Sequence, residues 1–266
     1  MVEIKNEDCF VTLSHFADKS IDVILTSPPY NNSRTSHTDY CMETRNCRYA
    51  EYDDNKSNEE YLDWSENLFK EFDRVLVKDG VVLYNISYGN ENPTIMWDTV
   101  CRILQKTNFM IAESIAWKKS SAFPNNVSHN HLTRIFEYVF VFCRKDEYKT
   151  FKTNKRVVST SKTGQAFYEN IFNYVEAPNN DGTNELNNAA YSSSLCEQLL
   201  RIYAPNGCTV YDPFMGTGTT GVACKRLGLN CYGSEISAKQ VEYALSRING
   251  AKPDDVFSKF SWDDFI

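Results

Sequence analysis

Two short stretches of the chain carry residue types whose spacing could do chemistry. The first is Ser27-Pro28-Pro29-Tyr30, one residue after the largely apolar run Ile21 to Leu25. A hydroxyl, backbone carbonyls and an aromatic ring can together hold one flat polar group, the oxygens accepting its hydrogens and the ring covering its face. The loop is stiff, because each proline fixes its own φ and donates no hydrogen bond, while the residue before a proline is driven towards an extended conformation. The second stretch is Asp212-Pro213-Phe214-Met215-Gly216-Thr217-Gly218-Thr219-Thr220-Gly221. Glycines there let the backbone approach a ligand, and a helix opening behind them favours an anionic group. Glu235, about 20 residues on, is placed to bind both hydroxyls of a ribose. No G-K-[ST] follows the glycines, which argues against a Walker-type triphosphate site.

These loops need elements to hold them. Ile21 to Leu25 reads as a strand buried on both faces, as in parallel sheets, and its carboxyl end is where open α/β sheets place ligands. A short strand at the start of the chain precedes Asn6-Glu7-Asp8-Cys9, followed by a helix or turn through Leu13 to Phe16. Ser57 and Glu60 have capping-box spacing ahead of a helix through Leu76, and Gly80 takes the place of a left-handed cap. Val81 to Ile86, Ile111 to Trp117 and Ile135 to Phe142 read as strands, with a helix over Ile95 to Leu104. Later come a helix over Leu195 to Tyr203, a strand over Cys208 to Tyr211, a helix over Val222 to Leu227 and a strand over Asn230 to Gly233. Ser237 and Gln240 suggest a second capping box for a last helix through Ile248. Strands alternating with helices predict an α/β fold with a mostly parallel central sheet.

Composition narrows the classes. With 266 residues, 42% of them hydrophobic, the chain can bury a sizeable core, and no apolar run approaches the roughly 20 residues of a membrane span. No basic start followed by an apolar stretch marks a leader, and nine cysteines without a C-x-x-C pair fit reduced thiols in a cytoplasmic setting. Cys41 and Cys47, the nearest pair, lack the second half of a zinc site, so no metal is expected. A net charge of −7 argues against broad polyanion binding and leaves room for a local basic face built from Arg34, Arg45, Arg48, Lys118, Lys119, Lys152, Lys155 and Arg156. Asn31 to Ser57 is polar, aromatic and without period, which fits a lid or a nucleic-acid-contacting loop, with disorder as the alternative.

Together the two stretches resemble the S-adenosylmethionine-dependent amino-methyltransferases of DNA, in the circularly permuted β group, where (D/N/S)-P-P-(Y/F) comes first and F-x-G-x-G late. Here Ser27-Pro28-Pro29-Tyr30 precedes Phe214-Met215-Gly216-Thr217-Gly218, and Asn6-Glu7-Asp8-Cys9 and Gly233-Ser234-Glu235-Ile236 also look like family elements. The resemblance covers about residues 3 to 250 and implies a Rossmann-like methyltransferase fold. It divides the chain into a catalytic half over 1–145, a small target-recognition insert over 146–190, the cofactor half of the same domain over 191–250 and an acidic, aromatic tail over 251–266.

By position, the resemblance makes Ser27, Pro28, Pro29 and Tyr30 catalytic and S-adenosylmethionine the cofactor. Glu235 would hold its ribose, Asp8 and Cys9 would lie by the adenine, and Phe214, Gly216 and Gly218 would line the methionine end. Asp212, Thr217, Thr219 and Thr220 would be close by, and Ser192 to Ser194 match the place of a further cofactor-contacting segment. The implied reaction methylates an exocyclic amino nitrogen of a base flipped out of double-stranded DNA. That nitrogen is a poor nucleophile because its lone pair is delocalised. Ser27 and the Pro28 or Pro29 carbonyl would accept its hydrogens while Tyr30 stacks on the ring.

Serine at the first motif position goes mostly with N4-cytosine, so cytosine is the expected base and N6-adenine the alternative. A non-catalytic nucleic-acid-binding module is the reading from another class. A dinucleotide oxidoreductase fits the spacing of Gly216, Gly218 and Gly221 but leaves the Ser-Pro-Pro-Tyr loop unexplained. The resemblance leaves open a homodimer and a cognate restriction endonuclease.

Overall fold

The computed structural model describes residues 1–31, 56–89, 92–122, 124–125, 129–182 and 190–252. The lid reading with Arg34, Arg45 and Arg48, the Cys41–Cys47 pair and the tail over 253–266 lie outside the described residues.

The amino-terminal half runs β1 (Val2–Lys5), α1 (Cys9–His15), β2 (Ile21–Thr26), α2 (Asn58–Val75), β3 (Leu76–Ile86), α3 (Ile95–Lys106), β4 (Phe109–Lys119) and β5 (Phe136–Arg144). A hairpin of β6 (Val157–Thr160) and β7 (Ala166–Tyr168) follows, then β8 (Tyr174–Ala177). The remainder is α4 (Ser193–Tyr203), β9 (Thr209–Asp212), α5 (Thr219–Leu227), β10 (Asn230–Ser234) and α6 (Ala238–Gly250). Among the described residues one sheet takes the order β1-β10-β9-β2-β3-β5-β4-β8, with β5 antiparallel to its neighbours β3 and β4 and every other pairing parallel. The α/β class and the mostly parallel sheet are as the sequence predicts. The 146–190 segment divides: β6 and β7 pair only with each other, while β8 joins the main sheet as its edge strand.

Alternation along the central strands explains the two-sided burial. Val23, Leu25, Val81 and Leu83 face the helices α4 and α5, while Ile24, Val82 and Tyr84 face α1, α2 and α3. On the second face Phe69 of α2 sits edge-on to Tyr84, Phe109 and Phe142 at centroid distances of 5.0–5.4 Å. Such pairs each add about 1 kcal/mol beyond area burial. α2 begins with the expected capping box, Ser57 and Glu60 each binding the other's backbone N–H. Its apolar face is Tyr61, Leu68, Phe69, Phe72 and Val75, all buried.

Two local expectations are corrected. Gly80 lies inside β3 and does not cap α2; the strand starts at Leu76, and the left-handed residue is Asp79, φ 61°. Gly80 is required because a Cβ there would stand 2.9 Å from the Asp22 carbonyl oxygen on β2. At α6, Ser237 is the N-cap but makes no side-chain capping bond, and its backbone N–H, which the reciprocal half of a capping box would use, is held by Glu235.

One feature of the topology positions the site. β9 lies between β10 and β2 with Val23 opposite Val210 and Ile24 opposite Tyr211. The carboxyl ends of β2 and β9 are therefore neighbours, which brings Ser27 beside Pro213 although 186 residues separate Thr26 from Asp212. Ligands in open α/β sheets bind at such a place.

Candidate active site

A buried carboxylate roots both loops. Asp212 Oδ1 accepts from the Thr26 hydroxyl at 2.8 Å and from the Phe214 N–H at 3.0 Å, and Oδ2 accepts from the Thr220 hydroxyl at 2.6 Å. Tyr191 reaches the same group, 2.7 Å from the Thr220 oxygen and 3.4 Å from Oδ2. Burial raises the Asp212 pKa above the ordinary carboxylate value, against the lowering effect of these donors. The residue before Ser27 and the residue two before Phe214 are thus tied to one another.

The cofactor-type loop turns through Gly216, φ 52°, and Gly218, φ 85°. Gly218 caps α5, and a Cβ on it would lie 2.7 Å from the Ala244 Cβ of α6, so position and conformation both demand glycine. Glu235 Oε2 accepts from the Gly216 N–H and Oε1 from the Ser237 N–H, each at 2.9 Å. Arg247 of α6 donates to the Thr217 carbonyl at 2.8 Å and forms an ion pair with Asp181 at 2.6 Å.

The Ser-Pro-Pro-Tyr loop is gripped from α2 and β3. The Tyr61 hydroxyl donates to the Pro29 carbonyl at 2.6 Å, and the Tyr30 hydroxyl donates to Asn85 Oδ1 at 3.1 Å. Ser27 Oγ lies 2.9 Å from the Tyr30 hydroxyl. Beyond it, Asn31 takes a left-handed conformation, φ 54°, and its amide exchanges two hydrogen bonds with the Lys56 backbone at 2.8 and 2.9 Å. That exchange fastens the described start of α2 to the loop's exit.

One cavity lies between the two loops. Ser27, Pro29, Tyr30, Asp8, Cys9, Phe214, Gly216, Thr217, Thr219 and Glu235 line it, so the fold gathers most of the residues singled out by sequence. Pro28, Asp212, Gly218 and Thr220 do not line it. Asp212 and Thr220 bind each other behind the wall, and Gly218 is turned into the α5–α6 packing. The serines at the start of α4 are also elsewhere: Ser192 caps that helix, Ser193 binds Asp181, and Ser194 accepts from Gln198, while Ala190 and Tyr191 form the wall on that side.

Sequence reasoning missed Trp64, Glu7, Tyr191, Ile236, Ser237 and Gln240. The last three lie within five residues after Glu235, a signal that could have found them. Trp64 carried none, since an aromatic on a helix reads as core. Its ring sits 5.5 Å from that of Phe214 and 5.5 Å from that of Tyr61.

The chemistry of the lining is acidic and aromatic. Glu7, Asp8 and Glu235 face the cavity, and among the described residues no lysine or arginine does. This disfavours a pyrophosphate or triphosphate ligand and suits one bearing hydroxyls and a positive charge. Cys9 is no nucleophile: burial, with Asp8 next to it, pushes its thiol up to about 12. No other described thiol lines the cavity.

Known proteins resemble this arrangement along nearly the whole chain. The model of the N6_N4_Mtase family, described as DNA methylase, matches residues 21–246. The type II methyltransferase M.HinfI of Haemophilus influenzae is 25% identical over 255 residues, spanning 92% of this chain and 68% of that protein. Among solved structures, the cytosine-N4-specific PvuII DNA methyltransferase superposes with a TM-score of 0.69 at 18% identity, covering 99% of this chain and 89% of its own. The M1.HpyAVI–SAM complex gives 0.59 at 20% identity, with coverages of 94% and 100%. At these identities the structural likenesses establish the fold.

Proposed function

The chain belongs to the N6/N4 DNA methylase family, and from that premise we propose that it transfers a methyl group from S-adenosylmethionine to the exocyclic N4 of a cytosine flipped out of double-stranded DNA. The observation that carries this reading is the Ser27 hydroxyl, on a proline-stiffened loop, facing the same acidic cavity as Glu235 and the glycine loop.

The residues present fit the cofactor. Glu235 at the end of β10 suits a ribose diol, and Asp8 with the start of α1 suits the amino edge of an adenine. Phe214, Trp64 and Tyr30 give a sulfonium aromatic neighbours. Bound there, S-adenosylmethionine supplies an activated methyl group.

The protein's own part is to hold the acceptor nitrogen. Ser27 accepts one N–H of the amino group. The second N–H goes to the Pro28 or Pro29 carbonyl; Pro29 lines the cavity, and its oxygen, which Tyr61 holds, keeps a second lone pair. Two acceptors favour a pyramidal nitrogen with its lone pair aimed along the line of transfer, and the rate gain is one of proximity and alignment. Flipping is required because the atom is out of reach while the base is stacked. Target contact we assign to the β6–β7 hairpin, where Val157, Val158, Phe167 and Tyr168 are exposed beside Lys152, Lys155 and Lys162. The type II relative suggests a cognate restriction endonuclease as partner.

The test is mass spectrometry of nucleosides from unmethylated DNA incubated with the protein and isotopically labelled S-adenosylmethionine. Labelled N4-methylcytosine is the expected product. N6-methyladenine would overturn the choice of base and leave the site assignments standing, and the absence of any labelled nucleoside would overturn the DNA reading.

A further inference from the structure

We infer that Asn85 is a positioning residue that fixes the direction of the Ser27 hydroxyl, an inference that rests on the methyltransfer reading above. Asn85 lies in β3, on no motif and 58 positions from the serine it controls, and its side chain is buried.

Its orientation is determined by what it touches. The side-chain nitrogen donates to the Tyr138 carbonyl of β5 at 3.0 Å. A carbonyl can only accept, so the amide cannot be turned the other way, and Oδ1 is the atom that faces Tyr30. That oxygen accepts from the Tyr30 hydroxyl at 3.1 Å. A phenol has one proton, and with it directed at Asn85 the Tyr30 oxygen is the acceptor in its 2.9 Å contact with Ser27. Ser27 therefore points its own proton at Tyr30 and presents lone pairs to the cavity.

This polarity is the one the reaction needs. An amino group held for attack offers two hydrogens and must be met by acceptors. A serine free to rotate could turn its proton towards the amino group and set hydrogen against hydrogen. The relay also ends in an amide, which takes up no proton at neutral pH. It consequently sets the direction of a hydrogen bond without carrying a proton away from the base; the one proton that the nitrogen sheds on gaining the methyl group passes to solvent.

The experiment measures single-turnover methyl transfer to unmethylated DNA, together with S-adenosylmethionine affinity, for the wild-type protein, Asn85→Leu, Tyr30→Phe, Ser27→Ala and the double variant Ser27→Ala/Asn85→Leu. Asn85→Leu and Tyr30→Phe are expected to slow transfer by roughly tenfold to a hundredfold while cofactor affinity, which reports an intact fold, stays within about twofold. In the Ser27→Ala background the Asn85 change is expected to have no further effect on the rate, because the hydroxyl it directs is gone. Transfer by Asn85→Leu at the wild-type rate, or full additivity in the double variant, would overturn the inference alone. Failure of the wild-type protein to methylate DNA would remove the functional reading and this inference with it.

Discussion

The two loops that meet in the cavity are held in different ways. The glycine loop is fastened largely by its own neighbourhood: Asp212, Glu235 and the first turn of α5 all lie within about 20 residues of Gly216. The Ser-Pro-Pro-Tyr loop depends on remote partners, with Tyr61 on Pro29, Asn85 on Tyr30 and Asp212 on Thr26. On the proposed function, a cofactor site that must present backbone N–H groups and a fixed carboxylate can be encoded locally. On the same reading, an acceptor set that must match a base drawn in from outside is shaped by whatever elements surround it. The difference predicts that damage near Gly216 acts on binding and damage around Ser27 acts on rate.

The largest break in that pairing is Ser27→Ala. Removing one preorganised acceptor at the reacting nitrogen is expected to lower the transfer rate by roughly a hundredfold to a thousandfold. Isothermal titration with S-adenosylmethionine should find its affinity unchanged.

Asp212 belongs to both sides, so Asp212→Ala should damage both. It removes the acceptor shared by the Thr26 and Thr220 hydroxyls and the Phe214 N–H, which predicts about 3 kcal/mol lost in urea unfolding, with cofactor affinity and rate falling together. The same residue carries a pH signature. Because burial raises its folded-state pKa, the folded protein binds that proton more tightly than the unfolded chain. Its contribution to stability is full below the unfolded pKa and is lost as pH rises through the raised folded value. Stability measured against pH in Asp212→Asn should lack that component.

Gly218→Ala tests the cofactor side alone. The added methyl meets Ala244 in a left-handed backbone, and a loss of about 2 kcal/mol with weakened cofactor binding is expected from calorimetry and titration. The mildest change is Arg247→Met, which frees the Thr217 carbonyl and breaks the pair with Asp181. Cofactor affinity should drop by about fivefold, worth about 1 kcal/mol, with the rate at saturation preserved. A lowered saturated rate in that variant would show that the two loops are not separable.

The same contrast explains what could be read before the fold was known. The order strand, glycine loop, helix, strand, carboxylate is contiguous, so β9, α5, β10 and Glu235 were legible with boundaries shifted by at most three residues. The strand at Ile21 and the rigid turn at its end were equally plain, because prolines and β-branched runs act locally. That the two stretches share a wall was supplied only by the resemblance, since β2–β9 pairing is a tertiary choice. Tyr61, Trp64 and Asn85 left no trace, being ordinary residues of a helix and a strand until another element arrives. Gly80 misled because a glycine after a helical stretch usually ends it, whereas here close approach to Asp22 demanded one.

The Thr26–Asp212 bond also sets a timetable for synthesis. A chain emerging from its amino terminus makes β2 and the acceptor loop early, yet the strand that flanks them is completed 186 residues later. Until β9 arrives, β2 carries an open edge on that side and the loop lacks the carboxylate that roots it. On the proposed function, a nascent chain halted between residues 31 and 212 has the acceptor hydroxyl and no wall for the donor, and is expected to be silent as an enzyme.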